Sequence, residues 1–284
     1  MDRYPRANLS RNDILLRKER PAHFSMCLGN FAKALLLRIF LKPGNRIIEF
    51  GSGPGSNILK LEASRPSFVS FTDIDINNLE ETSRRLENRR HLSTALKYEV
   101  FYLDFTQSNF CSGRNEEMYD VALALYSLHY IAKSVDGMRI FFENCNILLR
   151  PEGKILAIVP NAQRIFDSIG STKPNRLYDV DFGKDFIFKK IESGIPYDFR
   201  IKKGITYKEY TLCIEDILSY GPQFQLCYYG SISHFVEYHR QQYKHLAESL
   251  RSVILGNNTN ILRNITSDDI DLYNLYDVIV LQKK

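Results

Sequence analysis

The sequence predicts an α/β fold: a mostly parallel seven-stranded sheet with helices on both faces and an antiparallel insertion after the fifth strand. Three observations carry this. Short apolar runs alternate with amphipathic segments through the first 160 residues, the rhythm of right-handed crossovers between parallel strands. A glycine-rich turn, Gly51-Ser52-Gly53-Pro54-Gly55, follows the first apolar run directly. Acidic residues stand at or near the ends of the first three runs: Glu49, Asp73 and Asp104.

The elements follow in order. Phe24–Phe40 carries Met26, Phe31, Leu35, Leu36 and Ile39 at near-helical spacing and is stopped by Lys42-Pro43-Gly44. Arg46–Phe50 reads as a strand, Ser56–Ala63 as a helix and Ser67–Thr72 as a strand. Asn77–Arg90 reads as a charged amphipathic helix, with Tyr98–Leu103 and Val121–Leu125 as the next strands. Met138–Leu149 reads as a helix ended by Arg150-Pro151-Glu152-Gly153, before a fifth strand at Lys154–Val159. Residues 161–210 then break the rhythm. They are long, aromatic and basic, and a structureless loop of that length is improbable in a compact domain, so an antiparallel insertion over the ligand face is expected. A helix at Ile214–Tyr220, a strand at Gln225–Tyr229, a helix at Phe235–Leu255 and a closing strand at Tyr276–Leu281 complete the chain.

Composition bounds the function. The chain has 284 residues, 44% hydrophobic and 25% charged, which is globular and excludes a fibrous or disordered class. The net charge of +5 is a mild excess that permits an anionic partner. Residues 1–22 form a basic arm, with Arg3, Arg6, Arg11, Arg17, Lys18 and Arg20 against Asp2, Asp13 and Glu19. The arm is either a solvated terminus or a contact for a phosphate backbone. Five cysteines with no C-x-x-C pair argue against a disulfide scaffold and a cysteine-rich zinc site. No run reaches the roughly 18 apolar residues of a membrane-spanning helix, and no apolar leader opens the chain, so an intracellular protein is expected. The Asn-x-Ser/Thr sequences at Asn8, Asn257 and Asn264 then read as chance matches.

The strand–glycine turn–helix at residues 47–58 has the spacing G-x-G-x-G rather than G-x-G-x-x-G. Glycines let the backbone turn sharply and lie against a ligand. Asp73 falls at the end of the second strand, where a carboxylate accepts hydrogen bonds from both hydroxyls of a ribose; Asp75 is the rival for that role. Asp104, at the end of the third strand, is placed to meet an adenine amino group. This pattern resembles the Rossmann-like class I methyltransferases that use S-adenosylmethionine.

The resemblance sharpens outside the core. Asn30-Phe31-Ala32-Lys33-Ala34-Leu35-Leu36 is similar to the N-x-x-K-x-x-L helix of messenger RNA cap guanine-N7 methyltransferases. Tyr126-Ser127-Leu128-His129-Tyr130 resembles that family's F-S-[FL]-H-Y, and Val159-Pro160-Asn161 its V-P-[DSN]. Glu209-Tyr210 matches its E-Y, and Tyr276-Asp277-Val278-Ile279-Val280 its closing Y-[ED]-V-x-V.

The resemblance implies a methyltransferase domain over residues 23–284, with residues 161–210 as a cap-binding insertion. It implies transfer of the methyl group of S-adenosylmethionine to guanine N7 of a GpppN cap, leaving S-adenosylhomocysteine, with no metal. Lys33, Glu49, Gly51, Gly53, Asp73, Ile74, Asp104, Phe105, Leu125 and Tyr130 would contact the cofactor. Arg85, Tyr126, His129, Tyr130, Glu209 and Tyr276 would line the cap pocket, although Arg84, Arg89 and Arg90 around Arg85 read mainly as a solvated face. Guanine N7 is a bare acceptor, so no general base is expected. Alignment would carry the rate, with Glu209, Tyr130 and His129 orienting the base. The implied partners are the capped RNA 5′ end, a stimulatory subunit and other capping enzymes, with no membrane. The implied compartment is the nucleus, or the cytoplasm for a viral or plasmid transcription system.

Departures from the pattern are plain. Pro54-Gly55-Ser56-Asn57 stands where the family often has K-G-G-D, Leu125 where a Gln is common, and Gly29 where an N-N pair begins. They leave open a methyltransferase for another RNA or a small molecule, or a binding subunit without catalysis.

Overall fold

A computed structural model describes residues 23–284 except 93–94, 108–117, 170–173, 185, 187–189, 203–205, 241 and 246–265. The basic arm, the asparagines of the three Asn-x-Ser/Thr sequences and the far end of the expected 235–255 helix lie outside the described residues.

The chain opens with α1 (His23–Phe40). Its end is a turn in which Asn45 Oδ1 accepts from the Lys42 amide at 2.7 Å, and Gly44 takes φ +87°. Next come β1 (Arg46–Phe50), α2 (Ile58–Ser64), β2 (Phe68–Asp73), α3 (Ile76–Glu87), β3 (Tyr98–Tyr102) and β4 (Tyr119–Leu125). A 3-10 turn at Leu128–Lys133 leads to α4 (Val135–Leu148) and β5 (Leu149–Pro160). The insertion holds α5 (Ala162–Ile169), β6 (Tyr178–Asp181), β7 (Pro196–Ile201) and β8 (Thr206–Tyr210). The chain closes with α6 (Ile214–Tyr220), β9 (Phe224–Ser231), α7 (Ile232–Arg240), α8 (Ser267–Asn274) and β10 (Tyr276–Lys283).

Seven strands form the main sheet in the order β3-β2-β1-β4-β5-β10-β9. All neighbours are parallel except β10, which runs antiparallel to β5 and β9. Strand order runs outward from β1 to β3 on one side and from β4 to β5 on the other. The crevice above β1 and β4 is therefore the switch point, where open α/β sheets bind ligands.

The central strands are buried on both faces, which is why they read as continuous apolar runs. Ile48 packs with Phe50, Phe141 and Phe142 on one side; Ile47 packs with Leu35, Leu36 and Phe71 on the other. Phe50, Phe105 and Phe141 meet with ring centroids 5.4–5.8 Å apart directly beneath the crevice. Truncating such a ring to alanine costs roughly 3–5 kcal/mol.

The insertion is antiparallel as expected, a sheet in the order β6-β7-β8, but it opens with a helix that the sequence reading lacks. The signal was Asn161, whose Oδ1 accepts from the Arg164 amide at 2.9 Å and so caps α5. A small apolar cluster of Ile165, Tyr197, Phe199, Leu272 and Leu275 fixes the insertion to α8. Two expectations are corrected. The helix expected at Phe235–Leu255 starts earlier, at Ile232, and is interrupted after Arg240 by a turn at 242–243; helical backbone resumes at 244–245. Ser231 Oγ caps its start, accepting from the His234 amide at 3.1 Å, and no Gly or Pro marks its end. The fifth strand begins at Leu149, so the residues read as a turn lie within it, with Glu152 at φ +62°.

Candidate functional site

The glycine loop leaves β1 at the switch point. Gly51 has φ +65°, and a Cβ on it would lie 2.6 Å from Ser127 Cβ, so only glycine fits there. Gly53 also has positive φ, but nothing lies within 4 Å of where its Cβ would be; its bare backbone faces open space. The Gly53 amide donates to Asp73 Oδ2 at 2.8 Å, and the Asp75 amide to Asp73 Oδ1 at 2.9 Å. Asp73 therefore braces the loop from the end of β2. Asp75, its rival, is spent as the N-cap of α3, accepting from the Asn77 amide at 2.9 Å.

Glu49 is 1% exposed and accepts from Asn57 Nδ2 at 2.6 Å. Burial pushes its carboxyl up to about 7, against the pull of Asn57 and Lys33. Glu49 Oε2 and Asn57 Oδ1 remain buried without a hydrogen-bond partner among the described residues. Such a pair of orphaned acceptors is costly unless a donor arrives. Lys33 comes from α1, is buried, and has its ammonium pushed down by burial, with Glu49 opposing. It lies 5.6 Å over the Tyr126 ring.

Across the crevice, Tyr126 follows β4 at φ +67°, a conformation unfavourable for a bulky residue. Its ring meets Tyr276, from the start of β10, edge to face at 4.9 Å. His129 is 1% exposed with both ring nitrogens unpartnered, and burial holds its imidazole down to about 3. His129 Nε2 lies 3.9 Å from Glu209 Oε2, too far for a hydrogen bond, and its ring lies 4.3 Å from that of Tyr130. Glu209 is buried in β8 and accepts from the Tyr197 hydroxyl at 2.8 Å. Burial lifts its carboxyl to about 7 while Tyr197 pulls it back.

The structure thus brings Lys33, Glu49, Gly51, Gly53 and Asp73 to one half of the crevice and Tyr126, His129, Tyr130, Glu209 and Tyr276 to the other. The remaining expected residues differ among themselves. Ile74 is 61% exposed beside Asp73. Asp104 accepts from the Thr106 amide at 3.0 Å and from Gln107 Nε2 at 3.2 Å. Phe105 and Leu125 are buried in the two apolar layers. Arg85 lies on α3 and is held by Glu81 at 2.6 Å, while Arg84 shares Glu81 and Arg89 pairs with Glu62.

Four residues escaped the sequence reading. Tyr197 faces Glu209 only through the β7–β8 register. Asn57 shows in the sequence only as a departure, and its bond to Glu49 emerges in the fold. Arg164 bridges the Asn274 carbonyl and the Asp277 carboxylate. Tyr273 on α8 lines a cavity of about 330 Å³ together with Gly29, Lys33, Tyr126 and Tyr276. A larger cleft of about 540 Å³ beside Asn161, Glu215 and Tyr229 holds none of the expected site residues. Among the described residues no group of three His, Cys, Asp or Glu is arranged for a metal ion, and no helix is long and apolar enough to cross a membrane.

Solved structures with the same fold include the PH0226 protein from Pyrococcus horikoshii OT3, 10% identical, with TM-score 0.56 over 98% of this chain and 94% of that one. Another is an S-adenosylmethionine-dependent methyltransferase from Clostridium acetobutylicum, 12% identical, with TM-score 0.54 over 95% of each chain. Relatives in sequence include mRNA cap guanine-N(7) methyltransferase 1 of Oryza sativa subsp. japonica, 21% identical over 94% of this chain and 77% of that protein. Its namesake in Arabidopsis thaliana is 20% identical over 90% of this chain and 74% of that protein. Residues 9–284 match the family described as the mRNA (guanine-N(7))-methyltransferase domain. The fold is that of class I S-adenosylmethionine-dependent methyltransferases, and the chain belongs to the mRNA (guanine-N(7))-methyltransferase family.

Proposed function

We propose that this chain transfers a methyl group from S-adenosylmethionine to guanine N7 of the GpppN cap of RNA. The observation that carries the reading is the buried Glu209, held by Tyr197 and 3.9 Å from His129.

The residues present fit the cofactor. The orphaned acceptors Glu49 Oε2 and Asn57 Oδ1 suit an ammonium group, Lys33 suits a carboxylate, and the bare Gly53 backbone admits close approach. Asn57 in place of the family's Asp thus keeps an acceptor and adds an amide that donates to Glu49 Oε1. When bound, S-adenosylmethionine supplies an electrophilic sulfonium methyl group.

The chain's own work is binding and orientation. As a carboxylate, Glu209 accepts from guanine N1–H and the 2-amino group, which fixes the ring in its plane. Tyr126 and Tyr276 pack on the base. His129, held neutral by burial, keeps a second positive charge away from the sulfonium. Guanine N7 carries a lone pair and no proton, so no residue acts as a base, and alignment in a polar cleft supplies the acceleration.

Glu209→Ala separates this reading from methylation of another acceptor. Cap methylation is expected to fall at least 100-fold while the affinity for S-adenosylmethionine stays within about twofold. Parallel loss of both, or loss of neither, contradicts the assignment.

A further inference from the structure

β9 is one edge of the main sheet, and among the described residues β10 is its one strand partner. Its outer side therefore presents backbone N–H and C=O groups that no strand takes up, a template for another strand. The other three sheet edges are blunted. β3 has five residues and carries Glu99, β6 has four and carries Asp179 and Asp181, and β8 has five and carries Lys208 and Glu209. β9 has eight, Phe224-Gln225-Leu226-Cys227-Tyr228-Tyr229-Gly230-Ser231, with no charged residue and no proline. Leu226 is 40% exposed and Tyr229 41%, so the edge is apolar as well as long.

A bulge decides what β9 can pair with. Leu226 lies opposite Leu281 and Tyr228 opposite Val280, so Cys227 is the extra residue. A regular strand would put Leu226 and Tyr229 on opposite faces. The extra residue instead puts them on one face, opposite Leu281 and Ile279, which both belong to the apolar layer of Phe141 and Phe142. Gln225 and Gly230 share the other face, opposite Gln282 and Val278, and Phe224 and Ser231 return to the first, opposite Lys283 and Asp277. From its midpoint outward, the strand thus has the same order of faces in both directions. A two-fold axis through that midpoint, normal to the sheet, sets Leu226 against Tyr229, Gln225 against Gly230 and Phe224 against Ser231 of a second copy. Each pair shares a face, as antiparallel pairing requires. The uncharged strand brings no like charges together across the axis, and it offers a strand of another protein no charge by which to be selected.

We propose that β9 is a self-association edge, on which a second copy of this chain lays its own β9 antiparallel and joins the two sheets into one. Leu226 of each copy packs on Tyr229 of the other. β9 finishes with Ser231 opposite Asp277, beside Tyr276, so its end marks the crevice end of the sheet. An antiparallel partner turns its crevice to the opposite end, and both crevices stay open. The inference goes beyond methyl transfer and does not depend on the acceptor.

Sedimentation of the purified chain at tens of micromolar is expected to show a dimer. Leu226→Lys places two lysines diagonally across the axis and is expected to weaken association roughly tenfold or more. Mixing Leu226→Lys with Leu226→Glu protein is expected to restore the dimer, which damage to the fold would not do. A short bismaleimide is expected to join two wild-type copies through Cys227, which is exposed beside the axis, and not to join Cys227→Ser. That cross-link needs no change at Leu226, so it tests the pairing even where a Leu226 variant fails to fold. A monomer throughout, a dimer indifferent to Leu226→Lys, no association in the mixture of the two folded variants, or cross-linking that persists without Cys227 overturns the proposal.

Discussion

The Tyr197 hydroxyl donates to Glu209 Oε2 at 2.8 Å, and the two residues are direct partners across β7 and β8. The pair is buried, so the tyrosine lies where it alone, among the described residues, offsets the burial that lifts the carboxyl.

Tyr197→Phe removes that donor and leaves the ring packing in place. The carboxyl of Glu209 is then expected to rise further above its ordinary value, so less carboxylate is available at neutral pH. Cap methylation at pH 7 should fall roughly 3- to 10-fold, and the acid limb of its pH profile should move to higher pH. A purely structural role would lower activity equally at all pH values. Rates measured from pH 6 to 9 on both proteins decide between these.

Asn57→Asp places a carboxylate where an amide now donates to Glu49 at 2.6 Å. Two acids so close share a proton, and the folded state holds it to higher pH than the unfolded chain does. The penalty is therefore absent near pH 4.5 and grows as pH rises through about 7. Urea unfolding is expected to show a loss of about 2 kcal/mol at pH 8, shrinking towards zero at pH 5. A loss independent of pH would mean the amide's packing, not its lack of charge, matters.

Asp277 is 1% exposed and accepts from Asn161 Nδ2 at 2.6 Å while pairing with Arg164. This network ties the end of β5 to the start of β10 and so places Tyr276. Asp277→Ala is expected to destabilise the fold by about 3 kcal/mol, at the lower end for a broken buried pair because Arg164 keeps partial access to water. Denaturant unfolding reads this directly; a change below about 1 kcal/mol would show the pair to be dispensable.

Much of this was legible in the sequence. The period of apolar runs gives the order of strands, and three glycines after Phe50 mark the crevice. The His129 and Glu209 positions are readable because the motifs that carry them are local. What was not legible depends on distance along the chain. Asn161 and Asp277 are 116 residues apart and belong to two separate motifs, V-P-N and Y-D-V, yet they form a single network. Tyr197 meets Glu209 only through hairpin register, which no local pattern sets. Gly29 read as a loss, yet it leaves room for a tyrosine nearly a hundred residues away. Helix lengths misled where no Gly or Pro marks an end, as in α7.

The most direct measurement incubates the purified chain with labelled S-adenosylmethionine and RNA ending in GpppA, then digests the RNA and identifies the labelled nucleoside. The expected product is 7-methylguanosine from the cap, made by wild-type protein and lost with Glu209→Ala. Label on a ribose, on adenine or in the RNA body would contradict the account, as would demonstrated cofactor binding with no transfer to the cap.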